Sequence, residues 1–186
     1  EEAAAALMLE FDSELHDDFE AAVARTNGAF LDSETGDDGG DADAADGRAF
    51  AVVEAYDDAT QADLWKLRKA AIPLLMSLEG DPKPYPFIED ATVPPADLAE
   101  YVSRFEDVLD DHDTSAAYFA HAGAGTLHIR PILNLKTGEG IETMHAIAED
   151  VTDLVLEYHG SFSGEHGDGR ARTAFNPKMY GPDLWA

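Results

Sequence analysis

No cysteine occurs among the 186 residues, which excludes disulfides, thiolate nucleophiles and thiolate-held metals; any metal here is held by imidazole and carboxylate. Basic residues are scarce. The 12 Lys and Arg stand against 39 Asp and Glu, and the formal charge of −27 repels nucleic acid and anionic membrane surfaces over the protein as a whole. A nucleic-acid-binding role is therefore set aside. Long apolar runs are missing too: there is no stretch of about 18 apolar residues to span a bilayer. The opening "EEAAAALMLEF" lacks the basic n-region and cleavage pattern of a signal peptide. These absences predict a soluble, cytoplasmic protein without membrane insertion. Phosphate-loop and dinucleotide fingerprints are also absent, so the chain is not expected to bind a nucleotide by itself.

What is present is enough for a core. Hydrophobic residues make up 45% of the chain, and amphipathic segments recur, so the composition predicts a folded core under an acidic shell rather than disorder. The length suits a single domain over residues 1–186. An acidic shell poor in lysine fits a halophilic protein, because repulsion between carboxylates is screened to about 3 Å in molar salt.

Along the chain, "ALMLEFD" (Ala6 to Asp12) reads as a strand, followed by a helix from Ser13 as a possible N-cap to a stop at Gly28. "SETGDDGGDADAADGRA" has no apolar period and predicts a flexible acidic loop at about 33–48. "AFAVVEAYD" (Ala49 to Asp57) reads as a second strand. Leu64, Leu67, Ala71, Leu74, Leu75 and Leu78 then fall at helical spacing, with Pro73 expected to kink or divide the helix. "PYPFIEDATVPP" holds a short strand between prolines, and Leu98, Val102, Phe105 and Leu109 mark one face of the next helix. "SAAYFAHAG" and "TLHIRPIL" predict a hairpin. A helix from about Gly140 to Tyr158 and a short strand in "GSFSGEH" complete the order. Together these predict an α+β fold, ferredoxin-like and enlarged, with a mostly antiparallel sheet and helices packed on one face.

The chemistry gathers in two stretches. His121 and His128 lie seven residues apart and converge only if the chain turns between them, which Gly123 and Gly125 allow. Two imidazoles and one carboxylate make an open nitrogen and oxygen site for zinc, iron(II) or manganese, and Glu165 is the natural third ligand. His166, next to it on a segment expected to be extended, would point to the other side, free for acid–base work. Spacing alone leaves open the alternative that these are structural histidines. Glu89 and Asp90 are candidates to orient a histidine from behind, and Arg130, two residues after His128, shares its strand face.

"YFAHAGAGTLHIRPILNLKTGEGIETMHAIAEDVTDLVLEYHGSFSGEHGDGRARTAFNPKMYGP" resembles the C-terminal domain of FAD-linked oxidases, the group of D-lactate, glycolate and D-2-hydroxyglutarate dehydrogenases. "LWKLRKAAIPLLMSLEGDPKPYPFIEDATVPPADLAEYV" resembles the segment before it, and the likeness is nearest to long proteins fused to an iron-sulfur module. The resemblance implies a fragment of a larger chain: the FAD sits on a separate domain, and this one is a cap that supplies the substrate site. It implies a divalent metal, commonly zinc, on His121, His128 and Glu165, holding the hydroxyl and carboxylate of a small 2-hydroxy acid. It implies His166 as the group that takes the hydroxyl proton while hydride passes to the flavin, and Arg68 and Lys83 as holders of substrate carboxylates, with Arg130 a further candidate. Thr126 and Arg130 depart from the asparagines found in relatives, which bears on substrate choice. Outside the resemblance, the alternatives are a ferredoxin-like metal-binding or interaction module without redox activity, and a zinc hydrolase in which Glu165 or His166 activates water.

Overall fold

From Leu127 to Pro131 apolar and polar residues alternate, and a period of two asks for a strand buried on one face. In the structure, a computed structural model that describes residues 5–12, 18–31, 49 and 51–185, that strand is central. The chain divides into two compact units, residues 1–63 and 64–186.

In the first unit, α1 (Phe19–Leu31) buries none of its residues. Phe19 meets Phe11 edge-on at 6.2 Å and Tyr56 at 6.4 Å, and Asn27 donates to Glu54 at 2.8 Å. The helix passes through Gly28 rather than stopping there: one glycine costs about 1 kcal/mol in a helix but does not end it. The strands expected at Ala6 to Asp12 and Ala49 to Asp57 are not formed by the described residues, which are irregular in both stretches. A strand persists only where a neighbour takes its N–H and C=O groups. Ser13 and the acidic loop at 33–48 lie outside the described residues. The next helix, α2 (Asp58–Met76), is not divided by Pro73, although proline has no N–H to donate to the carbonyl of Lys69 one turn earlier.

The second unit continues through β1 (Lys83–Pro84), β2 (Ala91–Thr92), α3 (Leu98–Asp111), β3 (Ala116–His121), β4 (Thr126–Leu133), α4 (Gly138–Glu157), α5 (Gly169–Arg172) and α6 (Asn176–Leu184). The other three strands all pair with β4, antiparallel to it. β3 takes one edge; β2 pairs with the same residues of β4 as the tip of β3 and so lies on the other edge. Ser161 adds a single antiparallel bridge to Thr92. The class is α+β as expected. From β2 to Ser161 the order is β-α-β-β-α-β, with outer strands reduced to two residues and one bridge.

One face of β4, through Leu127, Ile129 and Leu133, is buried with Tyr101, Phe105 and Leu109 of α3 and Ile147, Val151 and Val155 of α4. The four-residue spacing in both helices keeps these side chains on one stripe. Each large side chain so buried contributes about 1.5–3 kcal/mol. Thr137 caps α4, its hydroxyl accepting from Gly140 N–H at 3.0 Å. The opposite face of β4, carrying Thr126, His128 and Arg130, is left for other work. No helix of the described residues is long and apolar enough to cross a membrane.

Candidate metal centre

The hairpin register decides where the histidines go. β3 and β4 pair His121 with Thr126 and Phe119 with His128, and directly paired residues share a sheet face, so His121 and His128 become diagonal neighbours. Their rings meet edge-on with centroids 5.2 Å apart. The turn that permits this runs through Ala122–Ala124 to Gly125, at φ 70. A Cβ on Gly125 would lie 1.9 Å from Val93 O, so the position requires glycine on two counts.

The third and fourth residues arrive on the loop after Ser161. Glu165 Oε1 lies 3.8 Å from His121 Nε2, and its Oε2 lies 3.6 Å from His128 Nε2. One donor atom from each of His121, His128 and Glu165 can be chosen so that all lie within 4.8 Å of one another. These separations are too long for hydrogen bonds. They are close to the roughly 3.4 Å between ligands about 2.05 Å from a tetrahedral ion. The Glu165 carboxylate accepts no hydrogen bond from any described residue, and burial pushes the His128 pKa down, outweighing the nearby Glu89 carboxylate. A neutral imidazole is the form a metal takes. The donor set, two nitrogens and a carboxylate, fits zinc, iron(II) or manganese.

His166 departs from expectation. It does not turn to the far side: its ring stacks on His128 at 5.1 Å and 12°, and its Nε2 lies 3.7 Å from Glu165 Oε2. The reason is that residues 164–166 bend rather than extend. Asp90, wholly buried, accepts the N–H of Glu165 at 2.9 Å and of His166 at 2.8 Å on its two oxygens, and the Ser163 hydroxyl at 2.5 Å. Burial opposes its ionisation, yet these donors together hold its pKa below the usual carboxylate range. Asp90, His128 and His166 also offer donor atoms within 4.8 Å, but both oxygens of Asp90 are already engaged, which leaves Glu165 as the unengaged carboxylate.

The cations are distributed differently from the reading of the sequence. Arg130 is on the face of His128, but its Nε donates to Glu89 Oε2 at 2.8 Å and its guanidinium pairs with the same oxygen. Glu89 Oε1 in turn lies 3.5 Å from His166 Nδ1. Lys83 pairs in register with Leu133, five residues along β4 from His128, which at about 3.3 Å per residue is some 17 Å away. Its ammonium donates to Leu78 O. Arg68, on α2, lies over the Trp65 ring at 6.0 Å and is not brought to the cluster by any contact among the described residues. Sequence reasoning missed Arg172. Only 7% of its side chain is exposed, and it donates to Glu89 O and Gly167 O, 3.6 Å from Asp90. The signal was an arginine close behind Gly-Glu-His-Gly in a chain short of basic residues.

The family "FAD linked oxidases, C-terminal domain" matches residues 1–186. The D-2-hydroxyglutarate dehydrogenase of Haemophilus influenzae is 40% identical over 122 residues, 66% of this chain and 12% of that protein. The Escherichia coli enzyme of the same name is 40% identical over 123 residues, again 66% and 12%. The glycolate oxidase subunit GlcD of Bacillus subtilis is 30% identical over 112 residues, 60% of this chain and 23% of that protein. The chain thus spans only a small part of the relatives it matches.

Proposed function

Because the chain belongs to the family of FAD linked oxidase C-terminal domains, we propose that it is the substrate- and metal-binding cap of an FAD-dependent D-2-hydroxyacid dehydrogenase. The substrate is a small 2-hydroxy acid of the D-2-hydroxyglutarate, glycolate or D-lactate class, and an FAD-binding domain of the same protein is the partner. The observation that carries this reading is the convergence of one donor atom each from His121, His128 and Glu165 within 4.8 Å.

In this reading those three residues hold a divalent ion, zinc above all. When bound, such an ion polarises the substrate hydroxyl and carboxylate and lowers the hydroxyl pKa, while the flavin of the neighbouring domain supplies the hydride acceptor. The chain's own residues then have distinct tasks. His166, half exposed and stacked on His128, accepts the hydroxyl proton at a ring nitrogen. Glu89, 3.5 Å from Nδ1, favours a proton on that nitrogen and so leaves Nε2 as the acceptor. Arg130 balances the charge of Glu89 and fixes its direction rather than gripping a substrate anion. The acidic shell belongs to the same proposal, as an adaptation to concentrated salt.

The test uses the full-length protein, stripped with a chelator and refilled with zinc or manganese. Reduction of an acceptor dye by D-2-hydroxyglutarate, D-lactate or glycolate should vanish and return. His128→Ala should lose both metal and turnover, whereas His166→Ala should keep the metal and lose turnover by about 10²–10⁴-fold. Full turnover in both variants overturns the assignment.

A further inference from the structure

We propose that Asp90 is a positioning residue that turns Glu165 and His166 to the same side of their loop and thereby builds the metal and proton sites; this rests on the metal reading above. On an extended segment, neighbouring side chains face opposite ways. Here a single carboxylate captures two successive N–H groups, those of Glu165 and His166, one on each oxygen, and the bend that results brings both side chains to His128.

The rest of Asp90 is committed to the same task. Its N–H donates to Leu127 O at 2.7 Å and its carbonyl accepts from Gly164 N–H at 2.8 Å, so it ties the loop to the strand that carries His128. It does so at φ 77, a left-handed conformation that costs most residues about 1 kcal/mol or more and that Asp and Asn tolerate best. No part of it is exposed. Behind it, Arg172 donates to Glu89 O and Gly167 O, anchoring the residue before Asp90 and the residue after His166 to one guanidinium. The loop is therefore fixed at both ends around the two functional side chains.

The variant Asp90→Asn keeps the shape and the tolerance of positive φ, but its amide NH2 faces an N–H donor, so one loop N–H loses its acceptor. In the full-length protein, zinc affinity is measured by competition with a chromophoric chelator, and the melting midpoint is taken with and without zinc. D90N should bind zinc about 10–100-fold more weakly, and the rise in midpoint that zinc produces should shrink accordingly. A merely structural role lowers both midpoints alike and leaves the affinity unchanged. That outcome overturns the proposal. Arg172→Lys, which keeps a cation but cannot span both carbonyls, carries the same test if D90N does not fold: a loss of about 10-fold is expected, and wild-type affinity overturns it. His128→Ala separates the two levels, since equal zinc binding by H128A and wild type removes the metal reading itself, whereas loss in H128A with none in D90N removes only the role of Asp90.

Discussion

Gly164→Ala places one methyl group at the point where the functional loop crosses the sheet. A Cβ built there lies 2.0 Å from Thr92 Oγ1, 3.1 Å from Thr126 Oγ1 and 3.2 Å from Thr92 Cβ. An unstrained contact lies near about 3.4 Å, so a gap of about 1.4 Å must open. Rotating Thr92 gives little relief: its χ1 is stiff, and its hydroxyl is 2.9 Å from Thr126 Oγ1. The loop must move instead, and Glu165 and His166 move with it. Overpacking of this kind costs about 1–3 kcal/mol of stability. Displacement of a reacting group by about 1 Å costs on the order of 10²-fold in rate. Zinc titration and dye-reduction kinetics on the full-length protein should show weakened metal binding and a turnover loss of that order. Thr92→Ala removes the nearest atom, at about 1 kcal/mol for its hydrogen bond. The double variant should therefore recover most of the loss, with a coupling of about 0.5–3 kcal/mol. Wild-type affinity and turnover in G164A would refute the reasoning, as would a double variant no better than the sum of its parts.

Tyr101→Phe should leave stability unchanged or raise it by about 1 kcal/mol. The hydroxyl is buried without a hydrogen-bond partner among the described residues, while the ring keeps its edge contacts with Phe105 and Tyr158; a fall of more than about 1 kcal/mol in denaturant unfolding would reveal a partner for that oxygen. Raising KCl from about 0.1 to 1 M shortens the screening length from about 10 to 3 Å. With a net charge of −27, the melting midpoint should rise across that range, and a midpoint that falls would count against salt adaptation.

How much was legible in the sequence depended on whether a signal was local. The face of α3 is written in apolar periodicity and the hairpin in two strand-like runs around Gly123 and Gly125, so these elements, and the span of α4, lie close to where the sequence puts them. Ala6 to Asp12 and Ala49 to Asp57 carry strand-like composition as well, yet composition cannot supply a partner for the ladder, and the described residues there stay irregular. Gly28 and Pro73 read as breaks, but a single unfavourable residue is overridden when the turns around it are helical. His166 was assigned a side from local alternation, and Asp90, some 76 residues earlier, reverses it through two hydrogen bonds.

By itself the sequence restricted the chemistry: without cysteine, any metal can rest only on imidazole and carboxylate, and His121, His128 and Glu165 are the residues it offers for such a site. It also marked the apolar face of α3 through Leu98, Val102, Phe105 and Leu109, because residues three and four apart share one side of a helix. The tertiary structure decided which charges are free. Lys83 turns to Leu78 O close by, but Arg130 and Arg172 are both drawn to Glu89, 41 and 83 residues away, so their fate is settled by a partner distant in the chain. The distances among His121, His128 and Glu165 belong to the same level: residue types fix what can bind, but only the strand register and the bend held by Asp90 fix where the atoms meet.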